Sequence, residues 1–246
     1  MEAVSYRYGR YLIACTFAVM VLCAQNRVSA DPGTRVFPGM EIRQGTAVCM
    51  VGFVETRLRV ALTSGQCGSG ESTVTDHDGN VVGTVVLARR QPNDDAAADG
   101  ATSPVEYEVI ALAHAVTASD TLPTGRQLKS SPGLVPQPGL PVCQFRRSVG
   151  QRCASISSVS NGRFIIPDMA VDGRDFGGPV YALTDNNAAV IVGLFEGMWR
   201  SVPEMESWQA VMQQVYIDGR SQGALQGPPG ETHFISQRVV SPFASP

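Results

Sequence analysis

The sequence predicts an all-β sandwich or barrel with one helix near its C-terminus. Gly 25 and Pro 16 together make about one residue in six, above the usual share of roughly one in eight, and both residues are costly inside helices. Short apolar, β-branched segments recur every eight to fifteen residues from Thr46 to Leu194, with turn residues such as Asp78-Gly79-Asn80 and Asn161-Gly162 between them. Near the end, Trp208, Val211, Met212, Val215 and Tyr216 repeat at the i, i+3, i+4, i+7, i+8 spacing of an amphipathic helix. A chain that is 43% hydrophobic and 17% charged, with a formal net charge of -3, is neither disordered nor a nucleic-acid binder acting through a basic field.

Residues 1–30 read as a signal peptide. Arg7 and Arg10 precede an apolar run from Leu12 to Ala24, and Val28-Ser29-Ala30 offers small residues for cleavage near Ala30. A run of thirteen residues is shorter than the roughly 20 that span a bilayer. An uncleaved anchor is the rival reading. Leu12-Ile13-Ala14-Cys15 superficially matches a lipoprotein box, but the apolar stretch follows it rather than precedes it. Cleavage implies a protein that is secreted or held in the cell envelope, with no stable membrane insertion. It removes Cys15 and Cys23 and moves the net charge to -5. Cys49, Cys67, Cys143 and Cys153 remain, an even count that in an exported chain reads as two disulfides, with buried free thiols as the alternative. No CxxC pair and no His at ligand spacing accompanies them, so neither a metal nor another cofactor is expected.

The strands expected in the mature chain are 46–54, 57–63, 72–75, 81–88, 105–112, 142–145, 154–159, 163–166, 179–183 and 188–194. The loop from Gln91 to Pro104 holds Asp94, Asp95 and Asp99 without calcium-loop spacing and reads as solvated surface. A Pro/Gly-rich stretch from Pro132 to Pro141 reads as a linker between two halves, 31–131 and 132–217. The helix is expected to pack on a barrel. From Asp218 to Pro246 periodicity is lost and Gly, Pro, Ser and Gln accumulate, which predicts a mobile tail over 218–246.

Three ordered segments carry a resemblance to a known family. Gly45-Thr46-Ala47-Val48-Cys49-Met50-Val51-Gly52-Phe53 leads into Ala61-Leu62-Thr63-Ser64-Gly65-Gln66-Cys67-Gly68. This pair resembles the C-x-x-G-F strand and the L-T-A-G-H-C-G turn of the trypsin/chymotrypsin-like serine proteases, above all the actinobacterial, streptogrisin-like branch. Arg174-Asp175-Phe176-Gly177-Gly178-Pro179-Val180 is similar to that family's G-D-S-G-G-P-V. Val105-Glu106-Tyr107-Glu108-Val109-Ile110 stands where its members carry a D-[YF]-A-[VLI]-I strand end. The resemblance covers most of residues 38–217. It implies two six-stranded antiparallel β-barrels followed by a C-terminal helix.

Every catalytic letter of that pattern differs. The family mechanism needs a Ser oxygen as nucleophile, a His to accept its proton and a buried Asp to orient the His. Phe176, at the nucleophile position, has no oxygen to attack with. Gln66, at the base position, is a carboxamide without usable basicity near neutral pH. Glu106 replaces the orienting Asp but has no imidazole to orient. Arg174 replaces the glycine whose N–H helps bind the oxyanion. Loss of one triad member costs on the order of 10⁴ to 10⁶ in rate, and loss of nucleophile and base together leaves no covalent route. The resemblance therefore implies a degenerate member.

It also implies a retained framework. Cys49 and Cys67 match the bridge beside the His turn, and Cys143 and Cys153 resemble the second-barrel bridge. Each closes a short loop and would contribute roughly 2 to 4 kcal/mol. Asp175 resembles the acid that anchors the 172–178 loop, with Arg174 or a neighbouring Arg as its partner. The segment Ile191 to Met198 resembles the family's last core strand, whose Ser-Gly-Gly end pairs with substrate backbone. Here Phe195, Glu196 and Met198 alter that end, either as a new binding surface or, as favoured here, with Phe176 and Met198 filling the cleft.

Other chemistry is weaker. Gly219-Arg220-Ser221-Gln222-Gly223 matches G-x-S-x-G, with His233 downstream, but that motif needs a strand before it and a helix after it. His77 and His114 read as surface or half-buried residues, and Glu106 with Glu108 as one face of a strand edge. The expected function is a non-catalytic binding or structural module, taken as a monomer, whose ligand is an unknown protein or peptide. The alternative is a serine-type hydrolase with a relocated nucleophile, Ser64 or Ser221.

Overall fold

Buried and exposed residues alternate along many of the strands, which is how a sheet comes to cover a core with one face. The computed structural model describes residues 33–68, 70–90, 105–146, 148–184, 186–222 and 233–236. The expected signal peptide, the Asp-bearing loop and much of the expected tail lie outside them. Thr34–Pro246 forms one compact unit. Its first half holds β1 (Arg35–Val36), β2 (Glu41–Gln44), β3 (Ala47–Met50), β4 (Phe53–Glu55), β5 (Val60–Thr63), β6 (Thr73–Thr75), β7 (Val81–Arg90), β8 (Tyr107–Leu112) and β9 (Thr117–Ala118). The second half holds β10 (Gln127–Lys129), β11 (Pro141–Arg146), β12 (Gly150–Ser155), β13 (Ser158–Ser160), β14 (Arg163–Ile165), β15 (Pro179–Leu183), β16 (Ala188–Trp199), β17 (Val202–Ser207), helix α1 (Trp208–Gln222) and β18 (His233–Ser236).

The first sheet runs β3-β2-β6-β7-β8-β5-β4. Only Val51 and Gly52 separate β3 from β4, so the path returns to the stretch of chain where it began and the sheet closes on itself. The second sheet, β12-β11-β15-β16-β17-β14-β13, closes in the same way through Ile156 and Ser157. With each interrupted strand counted once, both are six-stranded antiparallel barrels, as the resemblance implies. Closure removes the free edges that would otherwise invite aggregation. Parallel strands are added outside these paths: β10 pairs with β16, and β18 with β7.

Several boundaries differ from expectation. Strand β10 already belongs to the second sheet, ahead of the Pro132 to Pro141 stretch. Strands β2 and β17 are absent from the sequence reading because Glu-Ile-Arg-Gln and Val-Pro-Glu-Met-Glu-Ser are too polar to stand out, yet both have buried residues on paired strands. Strand β16 continues to Trp199. The helix runs to Gln222, so Asp218 is helical and buried rather than the start of a mobile tail.

The described residues form three apolar cores. Val36, Ile42, Val74, Val85 and Ile110 fill the first barrel, and Val142, Phe164, Val180, Val192 and Met205 the second. The third lies between them, where Phe53, Leu62 and Tyr107 meet Tyr181, Ile191 and Leu194. Trp208 and Val211 of α1 belong to this seam, with the Trp208 ring 4.8 Å from that of Phe53 and its Nε1 donating to Ser130 Oγ at 2.8 Å. The helix thus closes the seam, and its buried side is only partly the expected one: Met212 and Tyr216 are exposed, while Asp218 is buried.

Asp218 accepts from Arg89 Nε and Nη2 at 2.8 and 2.7 Å, from Tyr107 Oη at 2.7 Å and from Gln214 Nε2 at 2.9 Å. Burial pushes its carboxyl up, but these bonds overcome that and hold it below its ordinary range. Asp218→Ala leaves the buried Arg89 guanidinium without this partner and is expected to cost about 3–5 kcal/mol in chemical denaturation. Tyr107→Phe, which removes one neutral donor, is expected to cost about 1–2 kcal/mol. Because the folded carboxyl titrates low, its contribution persists down to about pH 4 and disappears as the pH falls further.

Candidate functional site

The turn after β5 sets the first group. Ser64 caps the single 3-10 turn Gly65–Cys67, its Oγ accepting from the backbone N–H of Gln66 at 2.9 Å. Gln66 is exposed, and its Nε2 donates to Oε2 of Glu106, which is buried just before β8. The structure therefore brings Gln66 and Glu106 together. A carboxamide bonded in this way satisfies a buried carboxylate and offers no basic nitrogen.

The loop 172–178 supplies the second group. Arg146 on β11 donates from Nε to Asp175 Oδ2 at 2.6 Å and from Nη2 to Asp172 Oδ2 at 3.1 Å. The partner of Asp175 is thus Arg146 and not Arg174, whose side chain lies in the exposed part of the loop. Burial raises the Asp175 carboxyl, and the Arg146 charge opposes that rise. Asp172 does a second job: its Oδ1 accepts the backbone N–H of Arg174 at 2.8 Å. That N–H is consequently turned back into its own loop. Gly177 has φ +77, and a Cβ there would lie 2.0 Å from Thr63 Oγ1 and 2.8 Å from Met50 O, so glycine is required on both counts.

The same loop is pinned to both barrels. Met50 N donates to Phe176 O at 2.8 Å, Gly177 N to Phe195 O at 2.8 Å, and Phe195 N to Gly178 O at 3.0 Å. The Phe176 ring is stacked on Phe195, 5.4 Å between centroids and 15° from parallel, and packs against the apolar cores of both barrels. It also lies against two glycines, since a Cβ at Gly197 or Gly173 would come within 3.5 or 3.7 Å of it. Phe176 therefore fills space between β16 and its own loop. Met198 does not join it: Met198 is 56% exposed and Trp199 45%, and both stand near the tip of the β16–β17 hairpin, where Arg200 stacks over Trp199. The expectation that Met198 fills the cleft is wrong, because the bulge at Phe195/Gly197 redirects the strand end.

Behind these groups sits a cluster that sequence reading missed. Glu196, 5% exposed, accepts from Ser64 Oγ at 2.9 Å and lies beside Glu106. Arg163 on β14 donates to Glu204 at 3.0 Å and to Glu206 at 3.2 Å. Burial, reinforced by the Glu106 charge, holds the Glu196 carboxyl well above its usual range, and burial pushes Glu206 up to about 7 despite Arg163. One signal was available: Glu204 and Glu206 alternate with the apolar Met205, so they share a strand face.

Other sequence candidates do not assemble a site. Ser64 is fully buried. Gly219 to Gln222 lie within α1, so Ser221 does not follow a strand, and His233 is on β18. His77 and His114 are exposed. Glu108 is no strand-edge residue: it is buried on β8, bonded by Arg90 Nε at 2.8 Å and by Gln44. Cys49 is bridged to Cys67, and Cys143 to Cys153 across the β11–β12 ladder, both as the resemblance implies. Among the described residues no group of three or more His, Cys, Asp or Glu is arranged to hold a metal ion.

No family model matches the chain. The uncharacterized protein Rv1815 of Mycobacterium tuberculosis (strain H37Rv) is 42% identical over 193 residues, 77% of this chain and 86% of that protein. Among solved structures, a glutamic-acid-specific serine protease shares a TM-score of 0.55 at 16% identity, over 75% of this chain and 98% of its own. Cellulomonas bogoriensis chymotrypsin shares 0.51 at 17% identity, over 74% and 96%. Identities this low speak to the fold alone, which is the double barrel of the trypsin/chymotrypsin-like serine proteases. Built on that fold, the chain belongs to the family of the mycobacterial protein Rv1815.

Proposed function

We propose that this protein is a secreted, catalytically inactive homologue of the trypsin-like serine proteases, serving as a binding or structural module at the cell exterior with a protein or peptide as its ligand. The observation that carries this reading is Phe176, an apolar ring at the expected nucleophile position, stacked on Phe195 and packed against both barrels. Three further arrangements support it. Gln66 donates to Glu106 instead of accepting a proton. The N–H of Arg174 is bonded to Asp172 instead of facing a developing oxyanion. Asp175 is neutralised by Arg146, so the loop is held in place by structure alone. Two disulfides and the signal-like sequence of residues 1–30 support export, and no helix among the described residues is long and apolar enough to cross a membrane.

The second reading is a hydrolase that uses Ser64, which has the Glu196 carboxyl within hydrogen-bond reach at 2.9 Å. Its weakness is access, because Ser64 is fully buried and already bonded on both sides. Incubating the purified protein with a fluorophosphonate probe and, separately, with casein separates the two. Neither labelling nor turnover is expected; either activity, abolished by Ser64→Ala, would establish the second reading instead. A packing role for Phe176 has its own test: Phe176→Ala is expected to cost about 2 kcal/mol in chemical denaturation, less than a fully buried Phe because the ring is half-buried.

A further inference from the structure

The second half of β7 has an edge that the closed path of the first barrel does not fill. Pairing with β6 ends at Thr84, followed by one bond from Val85 N–H to Ser72 O at 2.8 Å. On the opposite edge β8 pairs as far as Arg89. Leu87, Ala88 and Arg89 are buried, and a buried strand needs partners for N–H and C=O groups that alternate between its two edges. The chain supplies them from far away in sequence. Strand β18 lies parallel to Leu87–Arg90, with His233 opposite Leu87 and Ser236 opposite Arg90. Residues 223–232 join it to α1, a link that can reach roughly 30 Å. The Arg89–Asp218 ion pair holds the end of α1 against this stretch of β7, so the chain's own helix leads its last strand to the edge.

We infer that the edge Leu87–Arg90 is a strand-addition site, filled in the free protein by β18 and open to an extended peptide once β18 leaves. The peptide is the ligand of the proposed function, and the assignment rests on that reading for the ligand's nature. Three features suit β18 to being exchanged. It is four residues long, it pairs in the parallel sense, which is slightly the weaker of the two, and it lies outside the closed path of the barrel. Its departure therefore leaves the barrel's own strand order intact. Main-chain bonds supply the affinity of an added strand, and side chains at alternate positions set its preference. An edge that takes His-Phe-Ile-Ser thus takes other β-prone segments as well. Occupancy is felt at the candidate site. A Cβ on Gly65, in the turn that carries Gln66, would lie 2.3 Å from Arg89 O and 2.9 Å from Tyr107 N, so the end of β7 and the start of β8 pack directly on that turn.

The test uses the full chain and a fluorescent peptide with the sequence of residues 231–238, Glu-Thr-His-Phe-Ile-Ser-Gln-Arg. The peptide is titrated by anisotropy against the wild type and against Phe234→Pro/Ile235→Pro, which removes two consecutive N–H groups from β18 and so breaks its ladder whichever of them faces β7. A strand tethered by a short link competes at an effective concentration on the order of mM. The double variant is therefore expected to bind the peptide at least about tenfold more tightly than the wild type, and a peptide carrying both prolines is expected not to bind. No saturable binding to the double variant, equal affinity in the two proteins, or binding of the proline peptide overturns the proposal. A wild-type dimer that the double variant converts to monomer also overturns it, since β18 then sits on a second copy. Should the double variant fail to fold, hydrogen exchange of the wild type decides. With the peptide in excess, 233–236 is expected to lose protection by about tenfold or more while 87–90 keeps its own, and unchanged protection of 233–236 rejects the site. Labelling by the fluorophosphonate probe bears on the inactive reading alone, and failure of the peptide to bind bears on this edge alone.

Discussion

A carboxylate buried where two barrels meet has to be matched by a cation, by several donors or by a proton, because leaving it bare costs several kcal/mol. Much of this structure follows from how each one is matched. Asp218 takes Arg89, Tyr107 and Gln214, and so ties the C-terminal helix to β7 and β8. Glu108 takes Arg90 and Gln44, which joins β8 to β7 and β2. Asp175 takes Arg146, and Glu206 takes Arg163. In each case the arginine comes from a different element, so an ion pair that adds little net energy still fixes which elements lie together.

The candidate site is part of the same system. In an active protease of this fold the orienting acid, the base and the oxyanion N–H face a substrate. Here Glu106 is occupied by Gln66, the Arg174 N–H by Asp172, and the space beside β16 by Phe176. These side-chain and backbone groups are thus bonded to one another. Glu196 stands apart: its Oε1 accepts from Ser64 Oγ and its buried Oε2 has no hydrogen-bond partner. Apolar exposure lies instead at the hairpin tip, at Met198 and Trp199.

Many of the strands were legible because β-branched runs bounded by turn residues need no tertiary context to be recognised, while the two closed barrels followed from the resemblance. The resemblance supplied the Cys49–Cys67 and Cys143–Cys153 pairing. Strands such as β2 and β17 were not legible. Their sequences look like solvated loop, and Glu206 becomes an interior residue only because Arg163 and the second barrel are there to receive it. The helix shows the same limit. Spacing found its existence and its Trp208–Val211 contact, but it set Met212 and Tyr216 inward and ended the helix before Asp218. A polar residue at the right helical offset is invisible to an apolar pattern when its partner, Arg89, lies 129 residues away.

By itself, then, the sequence determined the all-β class, the two-barrel plan through its motifs, and the cysteines that staple the fold. Tertiary structure alone decided that Phe176 packs inward while Met198 does not, that Arg146 rather than Arg174 holds Asp175, and that Ser64, Glu106, Glu196 and Glu206 converge in one seam. The physical reason is range. Periodicity, turn chemistry and short motifs are properties of neighbouring residues, whereas the state of a buried charge depends on whatever the folded chain brings within a few ångströms of it.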